Sequence, residues 1–233
     1  MIFLNIIVDW LEVWALLIPL AVLIVCKPRE KYIRPLAWYI VSGLLLNLAA
    51  TFMLEYYYLV PKWLYVDGMA NNNILYNIHS IIRVLFLSWF IISVRQYQFP
   101  AILKIVVGAY LVFIIVDFLF LESPFYLGTT LFAGESITLL ILCFSYFFSS
   151  IRDESETNWL KHPSFLTCAG VALYEVLTFF VFLFFYPLSD ADHSFFTVTM
   201  RIYSIAFLLF CILLALTFYQ VKRQSKNPGL ANH

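Results

Sequence analysis

The sequence predicts an all-α, polytopic membrane protein: a bundle of seven transmembrane helices with the N-terminus outside and the C-terminus in the cytosol. Three observations carry that expectation. Of the 233 residues, 63% are hydrophobic and only 12% charged, against about 25% charged in a soluble domain, so there are too few charges to cover a water-facing surface. Apolar runs long enough to cross about 30 Å of hydrocarbon, which takes about 20 helical residues, recur seven times along the chain. Lysines and arginines gather in alternate loops, the asymmetry that orients helices in membranes.

The spans read as 5–26, 35–59, 73–95, 101–121, 125–150, 163–187 and 195–220, within a single membrane domain covering 1–233. Prolines and charges mark the joints: Lys27-Pro28, Arg34-Pro35, Pro61-Lys62, Pro100, Pro124, His162-Pro163 and Pro187. Only Pro19 falls within a span, where it should kink the first helix. Asp9 and Glu12 interrupt the first span and no basic residue precedes it, so it is expected to stay as a helix rather than act as a signal peptide.

Orientation follows from eleven basic residues on one side: Lys27, Arg29, Lys31 and Arg34 after span 1, Arg95 and Lys104 around the turn after span 3, Arg152 and Lys161 after span 5, and Lys222, Arg223 and Lys226 after span 7. Lys62 stands alone on the other side, and Arg83 and Arg201 fall within spans. Odd-numbered exits are therefore cytosolic. Trp10, Trp14, Tyr56-Tyr57-Tyr58 and Trp63 sit where the outer interfacial belt belongs. The short loops and short polar tail leave no room for a soluble output domain, so any output is expected through the helices or a separate partner protein.

The formal charge is zero, with 14 basic and 14 acidic residues, which indicates no nucleic-acid partner. Cys26, Cys143, Cys168 and Cys211 lie inside apolar runs without C-x-x-C spacing and read as packing residues. A weak internal repeat sets Asn77-Ile78-His79-Ser80-Ile81 against Arg201-Ile202-Tyr203-Ser204-Ile205, and Leu85-Phe86 against Leu209-Phe210. Arg34-Pro35 and His162-Pro163 open spans 2 and 6 alike, which matches Asn47 with Glu175. The pattern is that of two parallel three-helix units joined by span 4.

Ionisable side chains within a bilayer cost free energy and mark either a function or a buried pair. At 1.5 Å per residue, Arg83, Glu135 and Glu175 fall near the midplane, with Glu12, His79 and Arg201 higher. On span 3, Asn72, Tyr76, His79 and Arg83 share a helical face, flanked by Asn73, Asn77 and Ser80. Span 7 is read in the same way through Thr197, Arg201 and Ser204. Asn5, Asp9 and Glu12 on span 1, Glu135 and Thr138 on span 5, and Tyr174, Glu175 and Thr178 on span 6 complete a polar bowl open to the outside above an apolar floor. The candidate ligand-binding residues are Asn47, Tyr76, His79, Ser80, Arg83, Glu135, Glu175 and Arg201. Six acids share this half with two arginines and one histidine, so protons or a cation must offset the excess of carboxyls. Arg83 and Arg201 are each expected to pair with Glu135 or Glu175.

Each of these residues also has a purely structural reading. Buried arginine–glutamate pairs fix helix register, a single interior histidine is more often hydrogen-bonded than a metal ligand, and Glu55 and Asp117 read as solvated residues at helix ends. Asp190, Asp192 and His193 read as an acidic outer loop rather than metal ligands.

Several classes are excluded. Span 7 has no lysine for a retinal Schiff base, and Ser93-Val94-Arg95-Gln96 and Thr217-Phe218-Tyr219 lack the signatures of animal seven-helix receptors. A zinc hydrolase needs about three clustered ligands, and His79 is alone within the spans. No metal or cofactor is indicated.

Leu75-Tyr76-Asn77-Ile78-His79-Ser80, taken with Glu135-Ser136-Ile137-Thr138-Leu139-Leu140, resembles a group of uncharacterised bacterial seven-transmembrane-helix membrane proteins. That resemblance implies the fold but no activity. The expected setting is the plasma or bacterial inner membrane, with the bilayer, a small ligand and a separate signalling protein as partners. Because only the outer path is polar, a receptor-like sensor ranks ahead of a small-solute transporter, proton-coupled through Glu135 or Glu175. An intramembrane enzyme using the same carboxylates with His79 ranks third.

Overall fold

A computed structural model describes residues 10–66, 69–94, 100–152, 162–185 and 193–226. Among them the chain forms seven helices: α1 (Leu11–Cys26), α2 (Arg34–Glu55), α3 (Asn73–Val94), α4 (Pro100–Val116), α5 (Thr129–Arg152), α6 (Pro163–Leu183) and α7 (His193–Lys226). Six are long and apolar enough to cross a bilayer, α4 with its C-terminal extension included, and the 16 described residues of α1 form a shorter apolar helix. The chain is a multi-pass membrane protein.

The helix ends follow from local chemistry. Pro35 and Pro163 occupy the first turns of α2 and α6, where a missing N–H costs nothing. Lys27 takes a left-handed conformation (φ 45°) and donates its N–H to the Leu23 carbonyl at 2.9 Å, closing α1 before Pro28. Beyond α4 the winding loosens to a π-helical turn over Asp117–Leu121. Span 2 was expected to reach residue 59, but Tyr57–Leu59 form a 3-10 turn of exposed side chains. A second such turn (Lys62–Leu64) follows, and then a small antiparallel hairpin of β1 (Tyr65–Val66) and β2 (Met69–Ala70), with Tyr65 opposite Ala70 and Val66 opposite Met69. At the other extreme, α7 continues six residues past its expected end, carrying Lys222 and Arg223 on its last turns.

α1, α3, α5 and α7 begin at one end of the bundle, its upper end, and α2, α4 and α6 begin at the lower end. Around the bundle α1 packs on α2, α2 on α3, α3 on α5, α5 on α6, α6 on α7 and α7 back on α1, a closed ring of six helices. α4 stands outside the ring, against α5 and α3, and α3 and α6 touch across the middle. Where α6 meets α7, a Cβ on Gly170 would lie 3.2 Å from Leu213 Cβ, the close approach that small residues permit between membrane helices.

The lower half is an apolar plug: Leu36, Tyr39 and Ile40 on α2, Leu87, Phe90 and Ile91 on α3, and Phe210, Leu214 and Phe218 on α7 are fully or nearly fully buried. Within it the Thr167 and Thr217 hydroxyls bond to each other at 2.9 Å between α6 and α7. Lys222 Nζ donates to the Val25 carbonyl at 3.0 Å, a cation at the C-terminal end of α1 where the helix dipole favours it. All four cysteines are free and buried. The outer surface carries Trp38, Phe52, Trp89, Phe120, Phe148 and Phe180, each more than half exposed, which water would not tolerate and lipid does.

Candidate functional site

The polar face read on α3 is real, and it points into the ring. Asn77, His79, Ser80 and Arg83 are buried there. Arg83 is the hub: its Nε donates to Glu135 Oε1 on α5, and its Nη1 donates to the Tyr174 hydroxyl on α6 at 2.8 Å. Its guanidinium carbon lies 4.9 Å from the Tyr174 ring centroid. Ser80 donates to the second Glu135 oxygen at 2.6 Å, so both carboxylate oxygens are fixed. Glu175 accepts from Ser136 at 2.6 Å through Oε2, while its Oε1 lies 4.0 Å from Arg83 Nε and has no hydrogen bond. One guanidinium therefore binds α3, α5 and α6 together and faces two carboxyls, both fully buried.

Above this cluster lies a cavity of about 290 Å³ that reaches from Arg83 to the upper end of the bundle. Its polar wall comes from Glu12, Asn47, Tyr76, His79, Ser80 and Arg83, and its apolar wall from residues including Phe132, Val181, Phe182, Met200 and Phe207. Glu12, on the first turn of α1, accepts the Tyr203 hydroxyl of α7 at 2.7 Å. Asn47 Nδ2 and His79 Nε2 are buried without hydrogen-bond partners. The His79 ring stacks on Tyr39, centroids 6.1 Å apart and planes 13° apart, beside Gly43, which has no side chain to displace it. Buried polar groups are paired in nearly all folded proteins, so two orphans on one cavity wall mark a place where a ligand group can complete the bonding.

Of the eight candidate residues, Asn47, Tyr76, His79, Ser80 and Arg83 line the cavity. Glu135 and Glu175 lie behind Arg83 and hold it rather than facing the space. Arg201 is a correction: its side chain is exposed, and among the described residues it pairs with neither glutamate. The face of α7 turned inward runs through Met200, Tyr203 and Phe207. Arg201 is two residues from Tyr203, and at 3.6 residues per turn that places it on nearly the opposite side. Asp117 is a second correction, since it is fully buried rather than solvated, its Oδ1 accepting from Thr130 Oγ1 at 2.5 Å. Glu55 is exposed at the end of α2, as expected. Asn77 has a structural task, donating to the Pro124 and Tyr126 carbonyls at 3.0 and 2.9 Å and accepting from the Gly128 N–H, which pins the α4–α5 turn over the cavity. Asn5, Asp9, Asp190 and Asp192 lie outside the described residues.

Glu12, Asn73, Tyr174 and Tyr203 are polar residues of the cavity wall that stand outside the eight candidates, Tyr203 the most telling of them. The internal repeat held the signal, because it matches Tyr203 with His79. Chemically the arrangement offers hydrogen-bond donors and acceptors, a carboxyl, a guanidinium and aromatic faces around one space. Among the described residues no three His, Cys, Asp or Glu side chains come together as a metal-binding group. No protein-family model, curated protein or solved structure matches this chain.

Proposed function

We propose that this chain is a receptor-like membrane sensor whose cavity takes a small ligand from outside the cell and passes the event to a separate partner protein. The observation that carries the reading is the vertical asymmetry of the bundle, with a polar cavity at the upper end above a plug of buried apolar side chains at the lower end. The upper end is taken as the outside because Lys27, Arg29, Lys31, Arg34, Lys104, Arg152 and Arg223 all project, exposed, at the lower end. Arg83 suits a transmitter. It joins three helices through one side chain, so a ligand that shifts it changes how α3, α5 and α6 pack.

The test uses purified protein in lipid nanodiscs and in liposomes. A small-metabolite library should contain a compound that stabilises the protein against heat. Stabilisation should vanish in Met200→Trp, whose indole fills the cavity, and the same compound should not enter proteoliposomes. Uptake would overturn the sensor in favour of a carrier.

The carrier is a second reading, favoured by the connectivity of the ring. Replacing α1, α2 and α3 by α5, α6 and α7, and the reverse, turns every neighbouring pair in the ring into another neighbouring pair, with α4 left outside as the joint. The alignment that matches His79 with Tyr203 also matches Tyr76 with Met200 and Arg83 with Phe207, and all six line the cavity. Each junction between units joins a glutamate on the first helix of one unit to a hydroxyl on the third helix of the other, Glu135 to Ser80 and Glu12 to Tyr203. Paired units around a central site are the architecture of many carriers.

A further inference from the structure

We infer that the ligand is a small organic cation, an ammonium group on a compact apolar or aromatic body, with Glu12 as its counter-ion. The inference rests on the reading that the cavity binds a ligand, and adds its chemical class.

Charge on the cavity wall comes first. Arg83 is the one arginine or lysine there among the described residues, and it is already taken: Glu135 receives its Nε, the Tyr174 hydroxyl receives its Nη1, and Glu175 stands 4.0 Å away. A carboxylate or phosphate entering from above would compete with that bound pair while facing Glu12. Glu12 has a different set of neighbours. Its Oε1 accepts one hydroxyl hydrogen bond, from Tyr203, and none of the ion pairs among the described residues involves it. With Arg83 set against Glu135 and Glu175, Glu12 is the carboxyl on the cavity wall that a cationic group of the ligand can pair with.

The second argument is the aromatic wall. The rings of Tyr76, Tyr174, Phe182, Tyr203 and Phe207 face the same space as Glu12. Tyr203 packs edge-on to Phe182 at 5.5 Å between centroids and tilted to Tyr174 at 6.0 Å, so the rings stand at angles to one another around the carboxylate. Ring faces attract cations within about 6 Å of their centroids, and a box of rings with an acid beside it is how proteins hold ammonium groups. Binding pockets for drug-sized molecules run from about 300 to about 1,000 Å³, so about 290 Å³ limits the occupant to metabolite size. The orphaned Asn47 Nδ2 and His79 Nε2 give the far end of the ligand polar partners.

The experiment is isothermal titration calorimetry at pH 8 on the full chain in nanodiscs. The probes are tetramethylammonium and 2-phenylethylammonium, with neutral 2-phenylethanol and anionic phenylacetate as matched controls. At least one ammonium should bind, both controls should bind at least tenfold more weakly, and Glu12→Gln should weaken the ammonium at least tenfold, which is about 1.4 kcal/mol. Gln keeps an oxygen for the Tyr203 hydroxyl, and Tyr203→Phe should cost less than Glu12→Gln because it leaves the charge in place. Ammonium binding that is unchanged in Glu12→Gln overturns the inference. Tighter binding of phenylacetate overturns it while leaving a ligand-binding cavity intact. Silence from both ammonium probes, with a library compound still binding, overturns the cation alone; silence from all compounds overturns it together with the ligand-binding reading.

Discussion

Arg83 Nη1 donates to the Tyr174 hydroxyl at 2.8 Å, joining α3 to α6 across the middle of the helix ring. The same guanidinium holds Glu135 on α5, and the two bonds divide the interior. Above them the walls carry polar atoms that face open space; below them the interior is mainly leucine, isoleucine and phenylalanine, with uncharged hydroxyls such as Ser88, Thr167 and Thr217 buried among them.

Removing one member of a buried ion pair leaves the other charged and unpaired, a loss of about 3–5 kcal/mol, whereas replacing both by apolar or neutral groups is often close to neutral. Arg83→Met should therefore destabilise the bundle by about that amount, and adding Glu135→Gln should recover more than half of it. Reversible unfolding in mixed micelles measures both. A double variant no more stable than Arg83→Met would show that Glu135 does not depend on Arg83 for its place.

The glycines separate cavity packing from helix propensity. A Cβ at Gly43 would come within 3.1 Å of His79 Nε2 and 3.3 Å of Leu16 Cδ1, both buried, whereas nothing lies within 4 Å of a Cβ at Gly108 on α4. Gly43→Ala should cost about 1–3 kcal/mol as an overpacked core and displace the imidazole from its stack on Tyr39, read as a changed His79 resonance in NMR of histidine-labelled protein. Gly108→Ala should leave His79 untouched and raise stability by up to about 1 kcal/mol through helix propensity. Equal effects at the two positions would contradict the packing described for α2 against α3.

Much of this fold was readable from composition and spacing because each span has to satisfy the same solvent. A run of about 20 apolar residues bounded by Pro, Lys or Arg has few other fates, and all seven expected spans overlap an observed helix. The ends were less legible: Tyr57, Tyr58 and Leu59 are apolar enough to continue α2, yet they leave it for a 3-10 turn. The site divided in the same way. On α3 the polar residues themselves mark the inward face, so Tyr76, His79, Ser80 and Arg83 were found. On α7 the inward face is Met200, Tyr203 and Phe207, which polarity alone does not distinguish from packing, whereas the polar Arg201 is exposed on the other side. Asp117 misled for a related reason. Its distance from the helix end is that of a solvated residue, yet it is buried, with Thr130 on the first turn of the next helix donating to it.

The proposed orientation makes a prediction that requires no ligand. Tyr57, exposed in the turn after α2, and Arg223, exposed on the last turns of α7, lie at opposite ends of the bundle. The native cysteines are all buried, so a new exposed thiol reports its own side of the membrane. In intact cells a membrane-impermeant maleimide should label Tyr57→Cys and spare Arg223→Cys until the membrane is opened. The basic residues that set this expectation act during insertion, so the outcome is fixed before folding is complete and does not depend on what the cavity holds. Labelling of Arg223→Cys in intact cells would invert the protein in the membrane. The cavity would then face the cytosol, and a receptor for external ligands would no longer be tenable, even with Arg83, Glu135 and Glu175 placed as they are.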